Sequence, residues 1–145
     1  MCSSVFLTMC SSVFLTMCSS VSAESYSLGD ITVTESFSYP TNGRSGAGYF
    51  TLTNDGPADV LMDVTADFPR VMMHQSLMQD GVMTMKHRMM VAVPALGELE
   101  FAPGGYHVMF MGLSDRWTGG DEIEASLQFK NAGTLDIKFT VTERP

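Results

Sequence analysis

The chain has 145 residues, 45% of them hydrophobic and 17% charged, which fits one folded domain and leaves no room for a second. Sixteen acidic residues against eight basic ones give a formal net charge of -8, which argues against nucleic acid and anionic membrane surfaces as partners. Two features stand out: there are 13 methionines, and all three cysteines, Cys2, Cys10 and Cys18, lie near the amino terminus.

The segment 1–23 contains three copies of one octapeptide, which begin at Met1, Met9 and Met17. This stretch is apolar and serine-rich and ends in small residues, which is typical of an export signal cleaved after Ala23. We therefore expect an exported protein whose mature domain, residues 24–145, contains no cysteine. Two alternatives are a short membrane anchor, which the interrupting serines disfavour, and a lipoprotein modified at Cys18, although the preceding residues match a lipobox only loosely.

From Ile31 onward, short β-branched and aromatic runs alternate with turn residues, and no segment keeps a helical period. Nine strands are predicted, over residues 31–39, 48–54, 58–65, 70–77, 82–89, 98–101, 105–111, 122–130 and 134–142. The last two alternate apolar and polar residues most clearly, so one face of each should pack in a core. The pattern predicts a single all-β domain of the sandwich type.

Methionine and histidine cluster in the middle of this domain. Ten of the 13 methionines lie between Met62 and Met111, and the same segment holds all three histidines, His74, His87 and His107. A single methionine in a strand usually fills a gap in the core, but this joint placement suggests a shared site. His107 and Met109 are separated by one residue in one predicted strand, so their side chains share a face.

A second pair forms across the predicted hairpin that turns at Asp80-Gly81. With a two-residue loop His74 lies diagonal to Met85, and with a four-residue loop the two are directly opposite. Both registers place them on the same face of the hairpin. The sequence therefore predicts two imidazoles and two thioethers that converge from two strand segments.

The softness of these ligands points to a metal. Thioether sulfur favours Cu(I) and has little attraction for metals that prefer oxygen. Zinc is a weaker candidate, because its sites use histidine, cysteine and carboxylate. A blue-copper electron-transfer centre needs a cysteine thiolate and is excluded if the leader is removed. A neutral site without a thiolate suits a metal that is carried and handed on.

The spacing of His74, Met85, His107 and Met109 matches the signature His-x10-Met-x21-His-x-Met of the periplasmic copper chaperone family called PCu(A)C. The run from Pro103 to Leu113 also resembles the family's PGGYHxMLMGL segment. The resemblance covers roughly residues 28–142. It implies a cupredoxin-like β-sandwich of Greek-key type that binds one Cu(I) through these two histidines and two methionines.

We further expect a periplasmic, monomeric protein that is not an enzyme and has no stable membrane insertion. Its partners would be a copper donor and the CuA domain of cytochrome c oxidase, or the assembly factors of that domain. The chain departs from the family pattern at Phe110, where Leu is usual, and in the loop over residues 40–47, whose only basic residue is Arg44. The loop bears on partner contacts more than on metal binding.

Three other functions compete with this one. A copper-storage or resistance protein would use the same site. A redox enzyme would need an open coordination position or a reactive thiol, and the sequence offers neither. A purely structural sandwich would bind no stoichiometric metal.

Several further residues are candidates for a secondary shell around the metal. Met83, Met111 and His87 are the main ones, with Met73, Met89 and Met90 considered beside them. The alternative for the methionines is ordinary packing, and the alternative for His87 is a solvated side chain between two basic neighbours.

Overall fold

The computed structural model describes residues 24–143, so the predictions for the leader, cleavage after Ala23 and the alternative modification of Cys18, lie outside the described residues. Eleven strands make up the regular structure. They are β1 Tyr26–Leu28, β2 Ile31–Ser38, β3 Ser45–Asn54, β4 Asp59–Ala66, β5 Arg70–Gln79, β6 Val82–Arg88, β7 Val91–Val93, β8 Gly97–Phe101, β9 Tyr106–Met111, β10 Glu122–Phe129 and β11 Thr134–Val141. The prediction of an all-β domain is confirmed.

All nine predicted strands are present, and their ends differ only slightly from the predicted ones. The two additional strands, β1 and β7, are too short to show an alternating pattern. Gly46, which the sequence pattern places in a break between strands, lies inside β3. A Cβ atom there would overlap the ring of Trp117, and one at Gly48 would lie 2.9 Å from Phe139. These glycines allow side chains to pack closely on the strand rather than turning it.

The strands form one sheet in the order β6-β5-β9-β8-β3-β2-β11-β10-β4-β7, with β1 paired to β2 and a further pairing between β9 and β3. Most neighbours are antiparallel, and the pairs β11–β2 and β8–β9 are parallel. The sheet bends over its own core, because the rings of Phe110 in β9 and Phe139 in β11 meet at 5.7 Å although these two strands are not paired.

The core is a single hydrophobic cluster that draws on both ends of the sheet. Phe50 stacks on Phe101 with centroids 4.4 Å apart, and Trp117 packs edge-on against Phe110 at 5.4 Å. Residues 24–143 contain no helix, and hence none of the length and apolarity that a membrane crossing requires. What matters for function is the end of the sheet formed by β6, β5 and β9, whose second face points away from this core.

Candidate metal centre

The three histidines lie in one row across β6, β5 and β9. The strand registers place His87 directly opposite His74, and His74 directly opposite His107. The ring centroids of His74 and His107 are 5.7 Å apart, and those of His74 and His87 are 5.8 Å apart. Because directly opposed residues share a face, all three imidazoles project from the same side of the sheet.

The hairpin between β5 and β6 has the two-residue loop, which decides between the two registers left open by the sequence. Gln79 pairs with Val82, and the intervening Asp80 and Gly81 both have positive φ, 50° and 77°. Two successive positive φ values are the signature of a type I′ turn, for which Asp-Gly is a favoured sequence. Met85 is therefore opposite Ser76 and diagonal to His74, on the same face.

Met109 lies on this face too. It is directly opposite Met72 of β5 and opposite Ala47 of β3, and it is half-buried. The structure thus brings His74, Met85, His107 and Met109 to one face of three adjacent strands. Met72 is a further residue of this face that was not predicted, although its position two before His74 in a strand is the signal that would have placed it there.

His107 is held in a geometry that leaves one nitrogen free. Its side chain is buried, with 5% exposure, and its Nδ1 lies 3.3 Å from the carbonyl oxygen of Gly105. That contact favours the tautomer in which Nδ1–H donates to the carbonyl, so Nε2 carries the lone pair. Nε2 is buried and has no hydrogen-bond partner among residues 24–143.

His74 is the second imidazole with an unsatisfied nitrogen. Its Nδ1 is buried and likewise lacks a partner within the described part of the chain. Burial lowers the pKa of His74, and the nearby His107 and His87 lower it further. Each effect disfavours a positive charge, so the ring is held in the neutral form that a metal requires.

The thioethers differ in their access to solvent. Met85 is 60% exposed on β6, which forms one edge of the sheet, whereas Met109 lies deeper between β5 and β3. The four side chains therefore combine buried nitrogen donors with one thioether side chain, that of Met85, that is largely exposed. Such a site is accessible from outside the protein along the edge strand.

The residues predicted as candidates for a secondary shell separate into three groups. His87, Met83 and Met111 share the face of the site: His87 and Met83 lie on β6, and Met111 pairs with Arg70 and Ser45. Met73 does not belong with them, since it is 3% exposed and packs in the core on the opposite face. Met89 and Met90 follow the end of β6 and are 77% and 55% exposed.

A site of the zinc type is not found in the described part of the chain, which contains no group of three or more histidine, cysteine, aspartate or glutamate side chains placed to hold a metal. The donors that do come together are imidazole nitrogens and thioether sulfurs. This set matches a soft monovalent ion better than an ion that prefers oxygen.

Comparisons with known proteins agree with the fold. The copper-bound PCuAC domain from PmoF2 superimposes with a TM-score of 0.69 at 24% sequence identity, covering 83% of this chain and 99% of that domain. The solution structure of CuI-DR1885 from Deinococcus radiodurans superimposes with a TM-score of 0.53 at 28% identity, covering 74% of each chain. The predicted resemblance to the PCu(A)C family and its cupredoxin-like fold is confirmed.

A curated relative is "Putative lipoprotein Lxx21020" of Leifsonia xyli subsp. xyli (strain CTCB07), which is 28% identical over 92 residues. The match covers 63% of this chain and 55% of the relative, so the chain spans about half the length of that protein. The family model described as "Putative lipoprotein LpqE-like" matches residues 30–141. Because that match spans nearly all the described residues, the chain belongs to the LpqE-like family.

Proposed function

We propose that this chain is an exported copper chaperone that binds one Cu(I) through His74, Met85, His107 and Met109. The observation that carries the proposal is the pair of buried, unpartnered nitrogens, Nδ1 of His74 and Nε2 of His107, on rings 5.7 Å apart. A buried polar atom without a partner costs free energy, so two of them side by side need an explanation. A metal ion that accepts both lone pairs supplies one.

Copper in the Cu(I) state fits the remaining donors. The neutral imidazoles and thioethers of this face add no negative charge, and thioether sulfur selects soft ions. Two similar structures, a copper-bound PCuAC domain and CuI-DR1885, support the same metal. Zn(II) should bind more weakly, because residues 24–143 offer no group of three histidine, cysteine or acidic side chains placed to hold it.

Transport rather than catalysis is supported by the placement of Met85 on an exposed edge strand. A thioether on a flexible, 60% exposed side chain can leave the metal and be replaced by a ligand from another protein. We propose that the acceptor is the CuA centre of cytochrome c oxidase, as the family resemblance implies, and that a separate copper donor loads the site. The alternative is a copper-storage or resistance protein with the same ligands.

Export belongs to the same proposal. The octapeptide leader has the composition of a cleaved signal, and a periplasmic location follows from the family resemblance. The descriptions of the family and of the curated relative as lipoproteins also fit an exported protein, and they keep lipid attachment at Cys18 as the alternative to cleavage after Ala23.

The decisive test is an anaerobic Cu(I) titration against a chromogenic chelator. The full chain is used with Cys2→Ser, Cys10→Ser and Cys18→Ser, so that leader thiolates do not compete. We expect one tight Cu(I) per chain and weaker Zn(II) binding. Mixing the loaded protein with an apo CuA domain should then transfer the copper. Tight binding without transfer would favour storage, and equally tight Zn(II) would refute the ligand set.

A further inference from the structure

The tip of the β5–β6 hairpin carries a patch of solvent-exposed methionines that the inner site does not fully use. Met78, Met83 and Met85 are 65%, 54% and 60% exposed. Large apolar side chains are normally exposed singly rather than in groups. A cluster of three on one short hairpin therefore needs a reason.

The register brings these three side chains together on one face. Met78 is directly opposite Met83, and Met85 follows Met83 by two positions on the same strand. The backbone N–H of Ser76 donates to the carbonyl of Gly105, which lies on the side of β5 away from β6. Backbone groups alternate in direction along a strand, so those of the other even-numbered residues of β5, including Met78, also point away from β6. Met78 and Met83 are then a non-hydrogen-bonded pair, the closer type, with Cβ atoms about 5 Å apart.

The patch is chemically uniform. Of the four exposed large apolar residues on the hairpin, Val82 belongs to the opposite face, so those beside the histidine row are all methionine. The cationic side chains of β6 lie on that opposite face as well, where Arg88 donates from Nε to Oε1 of Gln75 at 2.9 Å. A surface built only to dock an apolar partner would be served equally by leucine or phenylalanine. Three thioethers on a face without a cationic side chain of β6 instead suit a soft cation.

We propose that Met78, Met83 and Met85 form an outer Cu(I) site at the hairpin tip, next to the inner site and sharing Met85 with it. When the inner site is empty, three sulfurs are available, and copper can pass inward because Met85 lies diagonal to His74. When the inner site is filled, Met78 and Met83 remain, so the second copper is held more weakly. The role as an entry point rests on the proposed function, whereas the outer site itself depends only on these thioethers.

The test measures the second equivalent of Cu(I) separately from the first. The parent is the full chain with serine at its three cysteine positions, and its methionine methyl groups and histidine rings carry NMR labels. The variant is Met78→Leu with Met83→Leu. The matched control is Met89→Leu with Met90→Leu, which removes two comparably exposed thioethers outside the hairpin. Leucine nearly conserves volume at exposed positions, so all three proteins should fold alike.

We expect the second equivalent to shift the methyl signals of Met78 and Met83 in the parent and in the control. In the variant, affinity for the second Cu(I) should fall by about tenfold or more while the first is retained. The inference would be overturned if the variant kept the parent's affinity for the second Cu(I). It would also be overturned if the control lost as much of that affinity as the variant.

The remaining outcomes separate this inference from the proposed function. If the parent binds one Cu(I) and no second, the outer site is wrong and the inner site stands. If the first equivalent moves only the hairpin-tip methyls and leaves the histidine signals unchanged, the proposed inner site is wrong and the outer site stands. Self-association that the variant abolishes, without a second Cu(I), would assign the patch to a second copy of the chain and overturn the inference.

Discussion

The substitution Met85→Leu separates a metal ligand from a packing residue. Met85 is 60% exposed and lies on an edge strand, so its side chain contributes little to the core. Replacing it by leucine nearly conserves volume, and a surface change of this kind should alter the free energy of unfolding by no more than about 0.5 kcal/mol. A decrease in Cu(I) affinity therefore cannot be attributed to unfolding.

The size of that decrease follows from what remains. The substitution leaves the two imidazoles and Met109 in place but removes the one thioether that reaches in from β6. We expect the affinity for the first Cu(I) to fall by at least tenfold, a loss of about 1.4 kcal/mol or more. The measurement is anaerobic competition with a chromogenic chelator at neutral pH, with urea unfolding of the metal-free protein beside it.

The control is Met90→Leu. Met90 is 55% exposed, close to the value for Met85, but it follows the end of β6 and is not on the histidine row. The control should keep the affinity of the parent. Unchanged affinity in Met85→Leu would show that Met85 is not a ligand, and equal losses in both variants would show that the effect is not specific to the site.

Three further outcomes follow from the structure. Cu(I) binds the neutral form of His74, and His74→Met replaces that imidazole by a thioether that takes up no proton, so the decline of Cu(I) affinity with falling pH should become shallower. His87 is not a proposed ligand, so His87→Ala should keep the Cu(I) affinity of the parent; a dissociation constant that rises as much in His87→Ala as in His74→Met would contradict the ligand assignment. Because burial and its histidine neighbours lower the pKa of His74, the unfolded chain takes up this proton first. Stability of the metal-free protein should therefore decrease as pH falls below about 6.5, and His74→Gln should reduce that dependence in urea titrations. Gly46→Ala places a Cβ atom against the Trp117 ring and should lower the free energy of unfolding, measured with urea, by about 1–3 kcal/mol. An unchanged free energy of unfolding would mean that Trp117 can move aside.

The sequence alone was sufficient to predict that His74 and Met85 share a face, and that His107 and Met109 do. The first follows from the Asp80-Gly81 turn, since both loop lengths gave the same face, and the second from the alternation of side chains along a strand. These relations are local. They depend on turn chemistry and a period of two, which no distant part of the chain has to supply.

What the sequence could not decide is which strand lies beside which. The segment between Met85 and His107 includes two short strands, β7, which pairs with β4, and β8, which pairs with β3 and β9. Nothing in their pattern specifies that β9 joins β5 on the side away from β6. Only that pairing sets the His74 and His107 rings 5.7 Å apart and aligns His87 with them. Alternation along β5 places Met72 on the face of His74 and Met73 on the other face, but only the fold shows that the face of Met73 is the one packed in the core.

Burial was the other property that required the whole fold. Met73 lies in the core because β5 packs that face against residues from distant strands, and Gly46 is needed in β3 because Trp117, far along the chain, covers it. The unpartnered nitrogens of His74 and His107 lie on β5 and β9, which are distant in sequence and become neighbours only in the folded sheet. Local periodicity determines which way a side chain points, but desolvation depends on long-range packing, and it is desolvation that keeps His74 neutral.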